Sequence, residues 1–201
     1  MDMLNQNFVI LAAALNLYGS ASYVIETLKG KTKPNRVTWF IWALAPLIAF
    51  AAMASEGVGL SALMTFMVGF GPLAVFVASF INRKSYWKIS KLDIICGLLS
   101  LTALIVWGLT RTGIIAIALS ISADGLAAIP TVIKSWKAPE TEDYRVFLYS
   151  TVSAVITMLT LTSWGFANSG FPIYIFLICL ILTLLIAFPK LRPFRNSTTT
   201  A

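Results

Sequence analysis

Residues Ser120–Trp136 read SISADGLAAIPTVIKSW, and the fold class turns on this stretch. It closes an apolar run from Gly113 to about Trp136, long enough for a membrane-spanning helix, which needs roughly 20 mostly apolar residues. Near its middle stands Asp124, the one acidic or basic residue near the centre of any apolar run in the chain. A carboxylate at membrane depth costs about 2.5–3.5 kcal/mol on insertion scales, so such a side chain is expected to face a bundle interior or a water-filled cavity. Six residues on, Pro130 removes a backbone donor and favours a kink. The carbonyls it frees need polar partners. Asp124 and Pro130 are therefore expected to mark a solute path. The competing reading is an inward-facing Asp that only hydrogen-bonds to neighbouring helices.

Composition agrees with the membrane class. Of 201 residues, 58% are hydrophobic and 11% charged, and the chain contains no histidine. A water-soluble domain needs a far more polar surface. Histidine-based catalysis, metal ligation and haem ligation are excluded. Cys96 and Cys179 both fall inside apolar runs and read as buried small hydrophobes. No metal or cofactor is expected. The opening MDMLNQN lacks the positive region of a signal peptide, so the first apolar run is expected to stay as a helix.

Seven apolar segments follow one another: Phe8–Leu28, Val37–Ala54, Leu60–Ile81, Leu92–Leu109, Gly113–Trp136, Tyr144–Trp164 and Pro172–Phe188. With seven crossings, every Lys and Arg except Arg111 falls on one side. They lie in the loop 29–36, the loop 83–91, the segment 134–145 and the tail 190–195. The positive-inside rule then places the N-terminus outside and the C-terminus in the cytoplasm. The net charge of +7 is read as topology and attraction to anionic lipid, with no nucleic-acid partner. A bacterial plasma (inner) membrane is the expected location.

An internal repeat underlies the seven segments. Tyr18-Gly19 aligns with Asp124-Gly125, TLKGKTKPNR with IKSWKAPETEDYR, and Trp39-Phe40-Ile41-Trp42 with Val146-Phe147-Leu148-Tyr149. Helices one to three form one unit and five to seven another, with helix four linking them. The expected fold is thus an all-α membrane protein of two parallel three-helix bundles (3+1+3), divided at 1–82, 83–111 and 112–201. A shared site is expected near the midplane between the units.

In this layout the chain resembles the SWEET sugar-transporter and PQ-loop superfamily. Each unit of that family begins with a helix ending in a Pro-Gln pair or a variant. Here the second unit offers Pro130-Thr131 and the first Tyr23-Val24 or Val24-Ile25. The first unit lacks the proline, although Pro46 and Pro72 stand in its second and third helices. The resemblance implies a pocket midway across the membrane lined by Trp and Asn, and alternating access by rocking of the two units. It also implies that Asp124 occupies the place of an Asp that titrates in proton-coupled members.

Helical spacing gives an independent set of path residues. Asn16, Ser20, Tyr23 and Thr27 recur along helix one, and Ser120, Asp124, Ala127 and Thr131 along helix five. Helix six carries Ser150, Ser153, Thr157, Thr160 and Trp164, and helix two carries Thr38, Trp42 and Pro46. The expected path residues are Asn16, Ser20, Tyr23, Trp42, Ser120, Asp124, Thr131, Ser153 and Thr157, with Pro46, Pro72 and Pro130 as hinges. Packing between helices is the alternative for each Ser and Thr. Trp39 reads equally as a pocket wall or an interface anchor, and Trp87 as a surface anchor. Glu26 and Asp93 receive no role.

A carrier for a small polar solute, sugar-like and with proton coupling through Asp124 as one option, fits these features best. An indole face beside hydroxyl and amide groups suits such a solute. The expected partners are that solute, the bilayer and protons; a homo-oligomer is left open. The alternative is a receptor or sorting protein on the same scaffold that binds a peptide or small ligand without transport. An enzyme is not expected, since no nucleophile–base constellation or midplane carboxylate pair is present.

Overall fold

The structure, a computed structural model, describes residues 5, 7–55, 61–110, 113–161 and 164–188. Among these there are seven α-helices and no strand. The helices are α1 (Phe8–Leu28), α2 (Arg36–Ser55), α3 (Ser61–Ile81), α4 (Lys91–Thr110), α5 (Gly113–Lys137), α6 (Tyr144–Leu159) and α7 (Phe166–Ala187). Single 3₁₀ turns at Arg83–Ser85 and Pro139–Thr141 precede α4 and α6.

Local chemistry sets several helix ends. The chain leaves α1 through Gly30, whose φ of 77° is readily adopted only by glycine. The Asn35 side chain accepts from the Val37 and Thr38 N–H groups and so caps α2. Asp143 does the same for α6 through the Arg145 N–H. Helix α6 stops at Leu159, short of the expected Trp164. There the Thr160 N–H folds back onto the carbonyls of Ile156 and Thr157, and its hydroxyl onto that of Thr157. Helix α7 begins at Phe166, before the expected Pro172. Gly165 caps it and the Ser169 hydroxyl donates to the Trp164 and Gly165 carbonyls, so Pro172 lies inside the helix.

Helix α3 packs against both α1 and α2, and α7 packs against both α5 and α6. Helix α1 also lies on α6, α2 on α5, and α4 on α5 and α2. Glycines permit close approaches between helices. A Cβ at Gly71 in α3 would stand 2.1 Å from the Ser20 hydroxyl of α1, and one at Gly19 would stand 3.0 Å from Tyr149 Cβ in α6.

The connections before α2, α4 and α6 gather at one end. Asn82 donates to the Leu28 carbonyl (2.8 Å), Ser85 to that of Thr27, and the Lys33 N–H to that of Thr141 (2.8 Å). The described basic residues of the expected inner side lie at or near this end; Arg111 and the tail residues Lys190, Arg192 and Arg195 lie outside the described residues.

Polarity is inverted relative to a water-soluble bundle. Ile94, Ile95, Leu98, Leu99, Ile105 and Leu109 of α4 are exposed, as are Val77, Phe80 and Ile81 of α3. Asn16, Ser20, Thr38, Ser100, Asp124, Thr131, Lys134 and Ser153 are buried. Among the described residues three stretches are long and apolar enough to cross a membrane: Phe8–Leu28, Leu63–Ile81 and Ser169–Ala187.

Candidate functional site

A cavity of about 60 Å³ lies where α1 and α2 meet α5, α6 and α7. Its polar wall comprises Asn16 and Ser20, one turn apart on α1, with Ser150 of α6 and Asp124 of α5. The Asn16 amide donates to the Ser150 hydroxyl at 3.2 Å, tying α1 to α6. Its aromatic wall is a cluster of Trp39, Trp42 and Phe147. The two indoles meet edge-on with centroids 5.4 Å apart, and Phe147 lies 6.3 and 6.2 Å from them. Among the described residues that line the cavity there is no Lys or Arg, and Asp124 is the only carboxyl.

Asp124 is held from three helices. Its Oδ2 accepts the Tyr174 hydroxyl of α7 at 2.7 Å, and its backbone carbonyl accepts the Trp42 indole N–H of α2 at 3.3 Å. One residue earlier, the Ala123 carbonyl accepts the Ser100 hydroxyl of α4 at 2.7 Å. Pro130 accounts for a further partner. A proline inside a helix removes the bond to the carbonyl four residues back and crowds that turn. The neighbouring carbonyl of Ala127 accepts the Thr38 hydroxyl at 2.7 Å. Helix α5 is thus continuous through Pro130 while α2 supplies hydrogen bonds to its backbone.

Of the expected path residues, the structure brings Asn16, Ser20, Trp42 and Asp124 to the cavity, together with Pro72. It does not bring Tyr23, Thr131, Ser153 or Thr157 there. Ser153 donates to the Ala12 carbonyl of α1, tying α6 to α1, and Thr157 donates to the Ser153 carbonyl within α6, each at 2.8 Å. Thr131 is fully buried beneath the cavity lining, with no partner for its hydroxyl among the described residues. Tyr23 is buried and donates to Glu142 near the basic end. Ser120 lies in α5, but its side chain is outside the described residues. Pro46, Pro72 and Pro130 all sit within unbroken helices.

Several participants were not legible as such. Tyr174 lies in a run that reads as uniformly apolar, and only a lone hydroxyl at mid-helix marked it. Trp39, read equally as a pocket wall or an anchor, is 1% exposed and walls the cavity. Lys134, counted among the basic residues of the connection after helix five, forms a fully buried ion pair of 2.6 Å with Glu142. Asp93 is buried as well, accepting the Asn35 amide at 2.6 Å and so joining α4 to the start of α2.

No family model, curated protein or solved structure matches this chain. The case for function therefore rests on the cavity and its surroundings. Among the described residues no three Cys, Asp or Glu side chains are grouped as metal ligands would be.

Proposed function

We propose that the chain is an integral membrane carrier that moves a small polar solute by alternating access, with Asp124 as its central binding and proton-exchanging group. The observation that carries this reading is the carboxyl of Asp124, the one carboxyl among the described residues of a largely apolar and aromatic cavity between helices from both ends of the sequence. Burying a carboxyl at such depth is costly unless it is used or fully paired, and here no cation among the described lining residues offsets its charge.

The packing supports a 3+1+3 plan. Helix α3 stands between α1 and α2 as α7 stands between α5 and α6, and α1 meets α6 as α5 meets α2. Two repeats related by a two-fold axis along the membrane normal pack in this way. The three basic connections at one end favour seven crossings with the N-terminus outside and the C-terminus cytoplasmic. The apolar outer faces of α3 and α4 suit contact with lipid. We assign the chain on this basis to the SWEET and PQ-loop architecture, in a bacterial inner membrane, with a sugar-like solute as the first class to try.

The cavity holds a few waters and is far below the ~300 Å³ of the smaller ligand sites. In this reading solute entry requires the two bundles to part. Asp124→Asn keeps the size of the side chain and removes its capacity to exchange a proton. Counterflow in proteoliposomes is expected to lose its response to an imposed pH gradient in this variant. Transport as fast as the parent's, with the same pH response, would end the role given to Asp124.

A further inference from the structure

We propose that Tyr23, Glu142 and Lys134 form a gate that closes the cavity toward the basic connections, and that it separates when the carrier opens to that side. The gate rests on the carrier reading. Lys134 Nζ donates to Glu142 Oε1 at 2.6 Å and also to the Lys33 carbonyl, while the Tyr23 hydroxyl donates to the other carboxylate oxygen of Glu142. The Lys134 and Glu142 side chains are 1% and 0% exposed.

Position makes this a gate. The Tyr23 ring packs on Trp39 with centroids 4.6 Å apart, and Trp39 walls the cavity. On the far side Glu142 borders an open crevice at the basic end, shared with Glu26, Lys31 and Arg145. The order from cavity to exterior is therefore Trp39, Tyr23, Glu142, crevice. Tyr23 and Lys33 belong to α1 and the connection after it, whereas Lys134 and Glu142 belong to α5 and the connection before α6. Every bond between these two pairs crosses from the first part of the chain to the second, so none survives their separation.

The chemistry suits a reversible closure. A buried ion pair gains little over the same two charges in water, because desolvation offsets their attraction. When water enters from the crevice, the Lys134–Glu142 pair regains hydration as Tyr23 and the Lys33 carbonyl withdraw from it. An apolar plug of the same size lacks that compensation. A static strut would need the same contacts but would show no effect on access to the cavity.

Cys179 lines the cavity and Cys96 does not, which supplies a native reporter. In a Cys96→Ala background, sealed vesicles are treated from either face with a charged, membrane-impermeant methanethiosulfonate. Tyr23→Phe, which leaves the Lys134–Glu142 pair intact, and Glu142→Gln, which keeps a hydrogen-bonding side chain, are each expected to speed labelling of Cys179. The rise is about tenfold, what a loss of ~1.4 kcal/mol of closure yields, and it comes from the basic-connection face alone. Unchanged labelling in both variants, or an equal rise from both faces, would overturn the gate. Absence of counterflow in the parent alongside a one-sided labelling rise would overturn the carrier reading and leave the gate standing.

Discussion

Asp124 and Tyr174 illustrate what a single residue can and cannot disclose. The carboxyl was legible because a charge inside an apolar run violates the rule of the run. Its partner was not, because one tyrosine in α7 fits a hydrophobic helix without strain. The Tyr174 hydroxyl fixes the orientation of the Asp124 carboxyl from the opposite helix. Tyr174→Phe is expected to slow counterflow about tenfold, the loss that follows when a hydrogen bond to a charged group worth roughly 1.5 kcal/mol is removed. Retention of the parent rate in folded protein would show that the bond does not orient Asp124 for transport. Ser and Thr stripes were ambiguous for a different reason: spacing names a face but not what the face meets. Asn16 and Ser20 face the cavity, whereas Ser153 and Thr157 bond to backbone carbonyls. Ser153→Ala is accordingly expected to lower stability by about 0.6 kcal/mol in a detergent unfolding assay. Its transport rate should stay within about twofold of the parent, since that energy corresponds to less than a threefold change.

At the scale of the element, helix extents followed from apolar runs where a cap or a glycine closed them, as at the C-terminal end of α1. They were misjudged where a polar side chain ended a helix inside an apolar run. The Thr160 backbone and hydroxyl terminate α6 early, and the Gly165 and Ser169 arrangement starts α7 early. Neither signal differs from an ordinary polar residue when read along the chain. Next to the carbonyl that Pro130 frees, the Ala127 carbonyl accepts the hydroxyl of Thr38, from a helix 89 positions away. Thr38→Val removes that donor at nearly constant shape. It is expected to destabilise the fold by about 0.5–1.5 kcal/mol, the net worth of one hydrogen bond. Gly71 belongs to the same scale. A methyl there would meet Ser20 at 2.1 Å, so Gly71→Ala must push α3 from α1, with an expected loss of about 1–3 kcal/mol. An unchanged melting temperature in either variant would show that the contact between helices is looser than described.

For the whole molecule, seven hydrophobic runs and the alternation of Lys and Arg made helix number and class legible, while the partners of each helix were not. Nothing in the sequence says that α3 inserts between α1 and α2, or that α1 lies on α6. Those contacts arise from shape, through glycines such as Gly19 and Gly71, and shape has no periodic signature. The buried Lys134–Glu142 pair escaped notice for the same reason, since both residues occur where the chain looks solvated. The seven helices, the cavity and the inverted polarity converge on one claim, that a small polar solute crosses the membrane through this protein. The most direct test is counterflow of radiolabelled sugars, amino acids and nucleosides in proteoliposomes of the purified chain, with and without an imposed pH gradient. The expected result is saturable uptake of one solute class, with a gradient response that is lost in Asp124→Asn. Folded, correctly inserted protein that moves none of these solutes under either condition would contradict the claim and leave Asp124 a structural contact between α5 and α7.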